Sequence, residues 1–364
     1  MSGKEAARIF YNDNYFKRKG VAPKRIQKTL LGKGGIQGLD GVAHDCRRQL
    51  FLSIMTPENM KVLIHYIREQ WNYNSIRWSK KTIVLYDEVQ KLLCQAACRW
   101  AGVPLDYYEI SQRASDLGKM VDGFAAVGPR YWQAKQARKN TEKWIRGVIN
   151  GIRAQELQCF ESSAAYLIAW HRDHTGQLLN TQIAAVELIN ILRPIVAIST
   201  YITFGSLAFY EHPECRNRFT YRDPDYNQGF VQEVRRFYPF APFVGAIVKR
   251  NFVWKKYYFS KGTLVLLDIY GINHDSRLWK NPYEFRPERF NRQNLNPFEF
   301  LPQGGGDFVK GHRCPGDILT TEVMKASLDF IACHLSYKVP KQNLRYRLCR
   351  IPALPKSRFV IKCK

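Results

Sequence analysis

A single cysteine, Cys314, stands in the stretch Phe300–Gly316 (FLPQGGGDFVKGHRCPG), between three consecutive glycines and a helical segment, Leu319–Leu335. A thiol just ahead of a helix feels the positive end of its dipole, which favours the thiolate. Glycines let a backbone come close to a flat cofactor. Thiolate pushes electron density onto haem iron and favours O–O cleavage. His312 and Arg313 could meet the anionic propionates. Two readings stand on this window: a haem-thiolate loop, which the residue types favour, and a Gly-rich turn that happens to hold a cysteine.

A second chemical feature is Arg193, the one charge in the 23 residues Leu188–Tyr210 (LINILRPIVAISTYITFGSLAFY). Length and apolarity nominate a membrane span, but an arginine at a bilayer centre would cost roughly 3 kcal/mol. A buried central helix of a large helical domain explains the segment more simply. A buried guanidinium keeps its proton and needs a partner. That partner is either a distant Asp or Glu or an anionic ligand. Pro194 follows directly, has no N–H to give to the carbonyl of Asn190, and predicts a kink.

The elements that must position these residues are mostly helices. Thr56–Tyr73, Lys81–Trp100 and Asn140–Thr175 carry apolar residues at three- and four-residue spacing. Thr56 reads as an N-cap with Pro57 at the first helical position. Alternating apolar and β-branched residues between Val244 and Tyr270, with a turn at Lys261-Gly262, predict short strands. The last forty or so residues carry Pro-punctuated, strand-like pieces. The fold class is mainly α with small β-sheets (α+β).

The chain has 364 residues and a net charge of +25, from 56 Lys and Arg against 31 Asp and Glu. Such a balance favours anionic partners. Its densest cluster is Lys17, Arg18, Lys19, Lys24 and Arg25, which reads equally as a solvated basic face. No nucleic-acid-binding module is recognisable, so nucleic acid is not the expected partner. The nine cysteines form no CxxC pair. Cys94 and Cys98 sit in an apolar helical stretch and read as core. A disulfide framework is not expected, which implies a reducing compartment. MSGKEAARIF at the N-terminus has no apolar signal segment.

Three motifs occur in a telling order: Glu233-Val-Arg-Arg236, then Phe285-Arg-Pro-Glu-Arg-Phe290, then the glycine–cysteine loop. This resembles the cytochrome P-450 superfamily. The resemblance implies that Glu233, Arg236 and Arg289 form a structural triad holding the haem-side loop. The superfamily's central helix usually carries an acid–alcohol pair that delivers protons to dioxygen, and here Arg193-Pro194 replaces it. The cysteine loop is also longer than usual. With QEVRRFYPF at Gln232–Phe240 and APKRIQKTLLGKGGIQGLDGVAHDCRRQLFLSIM at Ala22–Met55, these features are similar to the fatty-acid peroxygenase branch, bacterial hydroxylases that use hydrogen peroxide, related to an alkene-forming decarboxylase.

The resemblance spans essentially the whole chain and implies one haem-thiolate domain over residues 1–364. It implies a cytochrome P-450 fold lacking its N-terminal helix and first strands, so that the strands in Val244–Tyr270 would carry an exposed edge. Haem b is the implied cofactor, with Cys314 as axial iron ligand. His44, Arg48 and His312 match propionate-binding positions, and Asp317 stands where the branch more often has Glu. Arg193 matches the carboxylate anchor, Pro194 shapes the pocket, and Gln37 matches a distal position that is Gln in hydroxylating members and His in one that mainly decarboxylates. Leu31 matches a substrate-pocket position often held by Phe.

The expected activity is peroxide-dependent hydroxylation of long-chain fatty acids at the α or β carbon, with decarboxylation as a minor route. The substrate carboxylate held by Arg193 would be the acid–base. The resemblance implies no redox partner, no transmembrane segment and a cytoplasmic location. Two other outcomes stand beside it: a reductase-dependent monooxygenase of the same superfamily, and a truncated, inactive haem protein.

Overall fold

The computed structural model describes residues 1–291 and 295–364. From the start of the chain, α1 (Lys4–Phe10) leads to β1 (Phe16–Lys17) and to α2 (Lys24–Ile26), a single turn that widens over Gln27–Leu31. The helices α3 (Gly41–Ile54) and α4 (Pro57–Trp78) follow, then β2 (Thr82–Val84), α5 (Leu85–Ala101), α6 (Ile110–Asp122), α7 (Pro129–Arg153) and α8 (Ala164–Ala169). The central pair is α9 (Thr181–Ala197) and α10 (Ser199–Glu211), followed by α11 (Pro213–Phe219) and α12 (Pro224–Phe237). Then come β3 (Phe243–Val248), β4 (Phe252–Trp254), β5 (Tyr257–Phe259), β6 (Leu264–Asp268), α13 (Ile269–Asn273), α14 (Asp317–Cys333), β7 (Tyr337–Lys338) and β8 (Val360–Cys363). The mainly helical architecture with small sheets is the expected one.

The apolar segment around Arg193 is interior. The stretch Thr181–Glu211 is long and apolar enough to cross a membrane, yet 89% of its most apolar window is buried within the protein. It packs against α5, α6 and α7, so its all-round apolarity is satisfied by other helices. Pro194 stays inside α9, and the helix breaks four residues later, at Ile198. Cys94 and Cys98 are fully buried in this core.

The start of α4 follows its sequence signal: Thr56 Oγ1 accepts from Asn59 N at 3.3 Å, and Pro57 is the first helical residue. The helix expected over Asn140–Thr175 is corrected. α7 begins earlier, at Pro129 behind Gly128 with φ 69°, and ends at Arg153. Gln155 takes φ 60° and the chain turns away before α8. Glycine tolerates such a conformation and proline suits a first helical turn, which fixes the start.

The expected strands lie in antiparallel sheets ordered β1-β3-β6, β2-β8-β7 and β4-β5. The bare edges expected for β3 and β6 are partly covered. β1 pairs Phe16 with Val248, and Met1 bonds the far edge of β6 through Leu266 O (2.8 Å) and Asp268 N (2.9 Å). A second apolar cluster, including Phe10, Phe16, Val248 and Leu267, seats α1 on this sheet.

The Glu233 triad ties α12 to the loop before the cysteine. Glu233 is wholly buried and accepts from Arg236 Nε (2.7 Å) and Nη2 (2.8 Å), Arg289 Nε (3.0 Å) and Arg286 N (2.8 Å). Arg236 also holds the carbonyls of Asn273 and Pro282. Removing one partner of a buried ion pair costs about 3–5 kcal/mol. Glu233→Gln should therefore lower unfolding free energy by about that amount, read as a fall in the urea midpoint with an unchanged slope.

Candidate active site

The cysteine loop is held from below by α12 and α14. Cys314 N donates to Gln303 O at 3.0 Å, and Gln303 Nε2 lies 3.6 Å from Cys314 Sγ and 3.0 Å from Thr320 Oγ1. Arg235 reaches up from α12 to Gln303 Oε1, Thr321 Oγ1 (2.9 Å) and Asp317. Arg313 donates to the same Asp317 carboxylate from Nε (2.9 Å) and Nη2 (2.5 Å). The glycines serve the loop itself: Gly304 and Gly306 take φ of 90° and 85°, and a Cβ on Gly304 would come within 3.1 Å of Tyr11 Oη.

The thiolate expected from the helix start meets an opposing effect. Burial pushes the Cys314 thiol up, against the Gly316 N–H and the charges of Arg235 and Arg48. Desolvation outweighs the dipole here. A coordinated metal would reverse that balance, because a ligating thiol is deprotonated outright.

For Asp317, burial would raise the carboxyl, but Arg235 and Arg313 together hold it below its ordinary value. Its folded pKa is thus depressed, so its stabilisation is present above the unfolded value of about 3.9 and is lost as pH falls through the folded one. Asp317→Asn should melt lower than the parent at neutral pH, and the gap between them should close below about pH 4. A thermal unfolding series over pH checks this.

Beside the cysteine loop lies a cationic edge. His44 and Arg48, one turn apart on α3, are both buried. The His44 and His312 rings lie 4.1 Å apart, and His312 Nε2 is 3.5 Å from Asp40 Oδ1. Burial, then His44 and Arg18, push His312 down to about 3, while burial lowers His44. Arg48 donates to the carbonyls of Val309 (3.2 Å), Arg313 (2.6 Å) and Phe308 and has no carboxylate partner among the described residues. The three residues expected to hold propionates thus come together. Arg18 joins them: it stacks on Phe10 at 4.6 Å, and its charge acts on His312.

On the other side is α9. Arg193 is 5% exposed and has no ion pair among the described residues; its Nη1 donates to Leu30 O. Burial, then the charge of Arg138, push its guanidinium down to about 9, so it remains charged at neutral pH, and the charge of Cys314 also acts on it. Glu187, Asn190 and Arg193 recur at three-residue spacing along the helix. Glu187 is wholly buried and accepts from Arg47 Nη1 (2.5 Å) and Ile36 N (2.8 Å). Asn190 Nδ2 donates to Glu187 Oε2 (3.0 Å) and Gln37 Oε1 (3.3 Å). Gln37 is therefore oriented by its oxygen, which leaves its amide N–H groups free to donate. Leu31 ends the widened turn next to Leu30 and is half-buried.

Sequence reasoning missed Arg18, Arg47, Arg138, Glu187 and Asn190 as parts of this site. The signal for two of them was present: Glu187 and Asn190 are polar positions on one face of an otherwise apolar helix.

These residues fit a haem. One thiol stands just ahead of a helix, guanidinium and imidazole groups lie beside its loop, and α9 brings in a buried arginine with no ion pair among the described residues. Among the described residues, the buried polar atoms without a hydrogen-bond partner include Asn190 Oδ1, Arg138 Nη2 and Arg235 Nε.

A family model described as cytochrome P450 matches residues 223–359. Among curated proteins, cytochrome P450 3A12 of Canis lupus familiaris is 26% identical over 229 residues, 57% of this chain and 42% of that protein. Probable cytochrome P450 4e1 of Drosophila melanogaster is 27% identical over 143 residues, 39% of this chain and 23% of that protein. The chain thus matches less than half the length of these curated relatives. Solved structures match over its whole length. Cytochrome P450SP alpha (CYP152B1) with (R)-ibuprophen has a TM-score of 0.97 and 45% identity, with 100% of this chain and 89% of that one covered. Cytochrome P450EX alpha (CYP152N1) with myristic acid gives 0.96 and 42%, covering 100% and 87%. A variant of cytochrome P450 OleT with arachidonic acid gives 0.96 and 37%, with the same coverage. The cysteine loop, the triad and this full-length agreement place the chain in the haem-carrying cytochrome P-450 superfamily, in its CYP152 branch.

Proposed function

We propose that the protein hydroxylates long-chain fatty acids at the α or β carbon, using hydrogen peroxide and no reductase. The observation that carries this reading is Arg193, a buried guanidinium near the C-terminal end of α9 with no ion pair among the described residues. Two neighbouring arginines have their own carboxylates: Arg47 has Glu187, and Arg138 has Glu142. Arg193 is left for an anion supplied from outside. Neighbouring structures with bound myristic and arachidonic acid support a fatty acid as that anion.

The balance is RCH2CO2⁻ + H2O2 → RCH(OH)CO2⁻ + H2O for attack at the α carbon. When bound, the haem supplies peroxide O–O cleavage and oxygen transfer, with Cys314 as its thiolate ligand. His44, Arg48 and His312 would hold its propionates. The remaining work falls to the chain around α9. Arg193 binds the substrate carboxylate, and the planar guanidinium suits a two-point contact. That contact would fix the head group and so restrict where the α and β carbons lie in the pocket, a proximity effect. The carboxylate takes up and returns the peroxide proton, the role that an acid–alcohol pair would otherwise fill. Gln37 can donate from its amide nitrogen but cannot accept a proton at neutral pH, which favours hydroxylation over a route needing a further acid. Pro194 lacks an N–H, and Leu31 lines the tail side. The nine free thiols suit a cytoplasmic location.

The test compares oxidants. Haem-loaded protein with a long-chain fatty acid should yield 2- or 3-hydroxy acid with hydrogen peroxide alone. Product only with reduced nicotinamide and a reductase would overturn the reading in favour of a conventional monooxygenase.

A further inference from the structure

Arg138 comes from α7, is 2% exposed, and reaches the same backbone oxygen as Arg193. Its Nη1 donates to Leu30 O at 2.9 Å, and Arg193 Nη1 donates to that same oxygen. Its Nε is held by Glu142 Oε1 at 2.5 Å. Its Nη2 is buried and has no hydrogen-bond partner among the described residues. A buried donor left unmade costs free energy, so this group calls for an acceptor. The backbone makes room for it: Gly32 has φ 79°, and a Cβ there would collide with Arg138 Nη2 and with both methyls of Val186. Two guanidinium groups thus converge on the segment that leads into Leu31.

We propose that Arg138 is a second cation of the head-group pocket, a positioning residue that fixes Leu30–Gly32 against Arg193 and makes the pocket select anionic over neutral head groups. This rests on the reading of Arg193 as the carboxylate anchor. Two like charges on one carbonyl repel; burial and then Arg138 are the causes that lower Arg193. An anion between them relieves that repulsion, whereas a neutral head group of the same shape does not. Glu142 tempers the charge of Arg138 from its partly exposed side. The pocket is therefore cationic by one unit when Arg47, Arg138, Arg193, Glu142 and Glu187 are taken together: three positive, two negative.

The test measures dissociation constants for a long-chain fatty acid and for its primary amide, from the absorption change of haem-loaded protein on titration. Arg138→Gln should weaken the acid about tenfold or more while changing the amide less than about twofold. Arg138→Lys should recover most of the acid affinity, because it restores charge without the fork. Glu142→Gln should tighten the acid about threefold, by removing the tempering charge. Equal weakening of acid and amide in Arg138→Gln, or no weakening of either, would overturn the proposal. If Arg138→Gln takes up no haem, Glu142→Gln decides, and unchanged acid affinity there overturns it. Arg193→Ala is the separate control: acid affinity unchanged in that variant removes the anchor reading itself.

Discussion

Cys314→Ala should abolish the thiolate-type spectrum of the reduced carbon-monoxide complex and lower peroxide-driven turnover by on the order of 10³ or more, about 4 kcal/mol in the barrier. The sulfur is the only thiol in the loop, and its surroundings are built around it. Gln303 holds Cys314 twice, its carbonyl accepting from the Cys314 backbone N–H and its side-chain Nε2 approaching the sulfur, and Arg235 secures Gln303 and Asp317 from beneath. Alanine leaves those contacts in place apart from the weak one to sulfur, so the variant should fold. What disappears is the electron push of the thiolate. A variant that kept the spectrum would show that another residue ligates the iron.

Arg193→Ala should cut turnover of fatty acid by about 10² to 10⁴, the range that a positioned acid–base contributes, while haem content stays at the parent level. Folding should survive, because Leu30 O retains Arg138 Nη1 and because a buried cation–cation repulsion is removed. Arg193→Lys should recover binding in part and turnover less, since an ammonium cannot make the two-point contact. Product analysis at saturating peroxide separates the two variants.

Much of this was legible from local pattern. The cysteine loop and the Glu233 motif are short, and their residue types have few alternative uses. The contacts of Glu233 with Arg236 and Arg289 came out as expected, as did the short strands between Val244 and Tyr270. Arg193 was conspicuous because a charge inside an apolar helix has to be explained; what remained open was its partner. A structural carboxylate was one of the two readings, and the structure offers a backbone carbonyl and a second arginine instead.

What stayed hidden depends on distant chain segments meeting. Arg138 lies in ARKNTEK, which reads as a solvated helix face, and only the approach of Leu30 and Gly32 turns it inward. Arg18 belongs to the run that read as a basic surface, yet it stacks on Phe10 and its charge acts on His312. The misplaced bounds of α7 have a local cause: Gly128-Pro129 was a start signal, and the polar first turns masked it. The helix start alone did not reveal that burial opposes the Cys314 thiolate, an effect the whole fold imposes and metal ligation reverses.

Whether the substrate's own carboxylate carries the peroxide proton is decided by comparing peroxide-driven turnover of a long-chain fatty acid with that of its primary amide, at equal occupancy of the site. The amide has the chain length and nearly the shape of the acid, but it has no carboxylate to pair with Arg193 or to carry the peroxide proton. The acid should give 2- or 3-hydroxy acid, and the amide should turn over slower by about 10² or more. Turnover of the amide at the rate of the acid would contradict that role of the carboxylate.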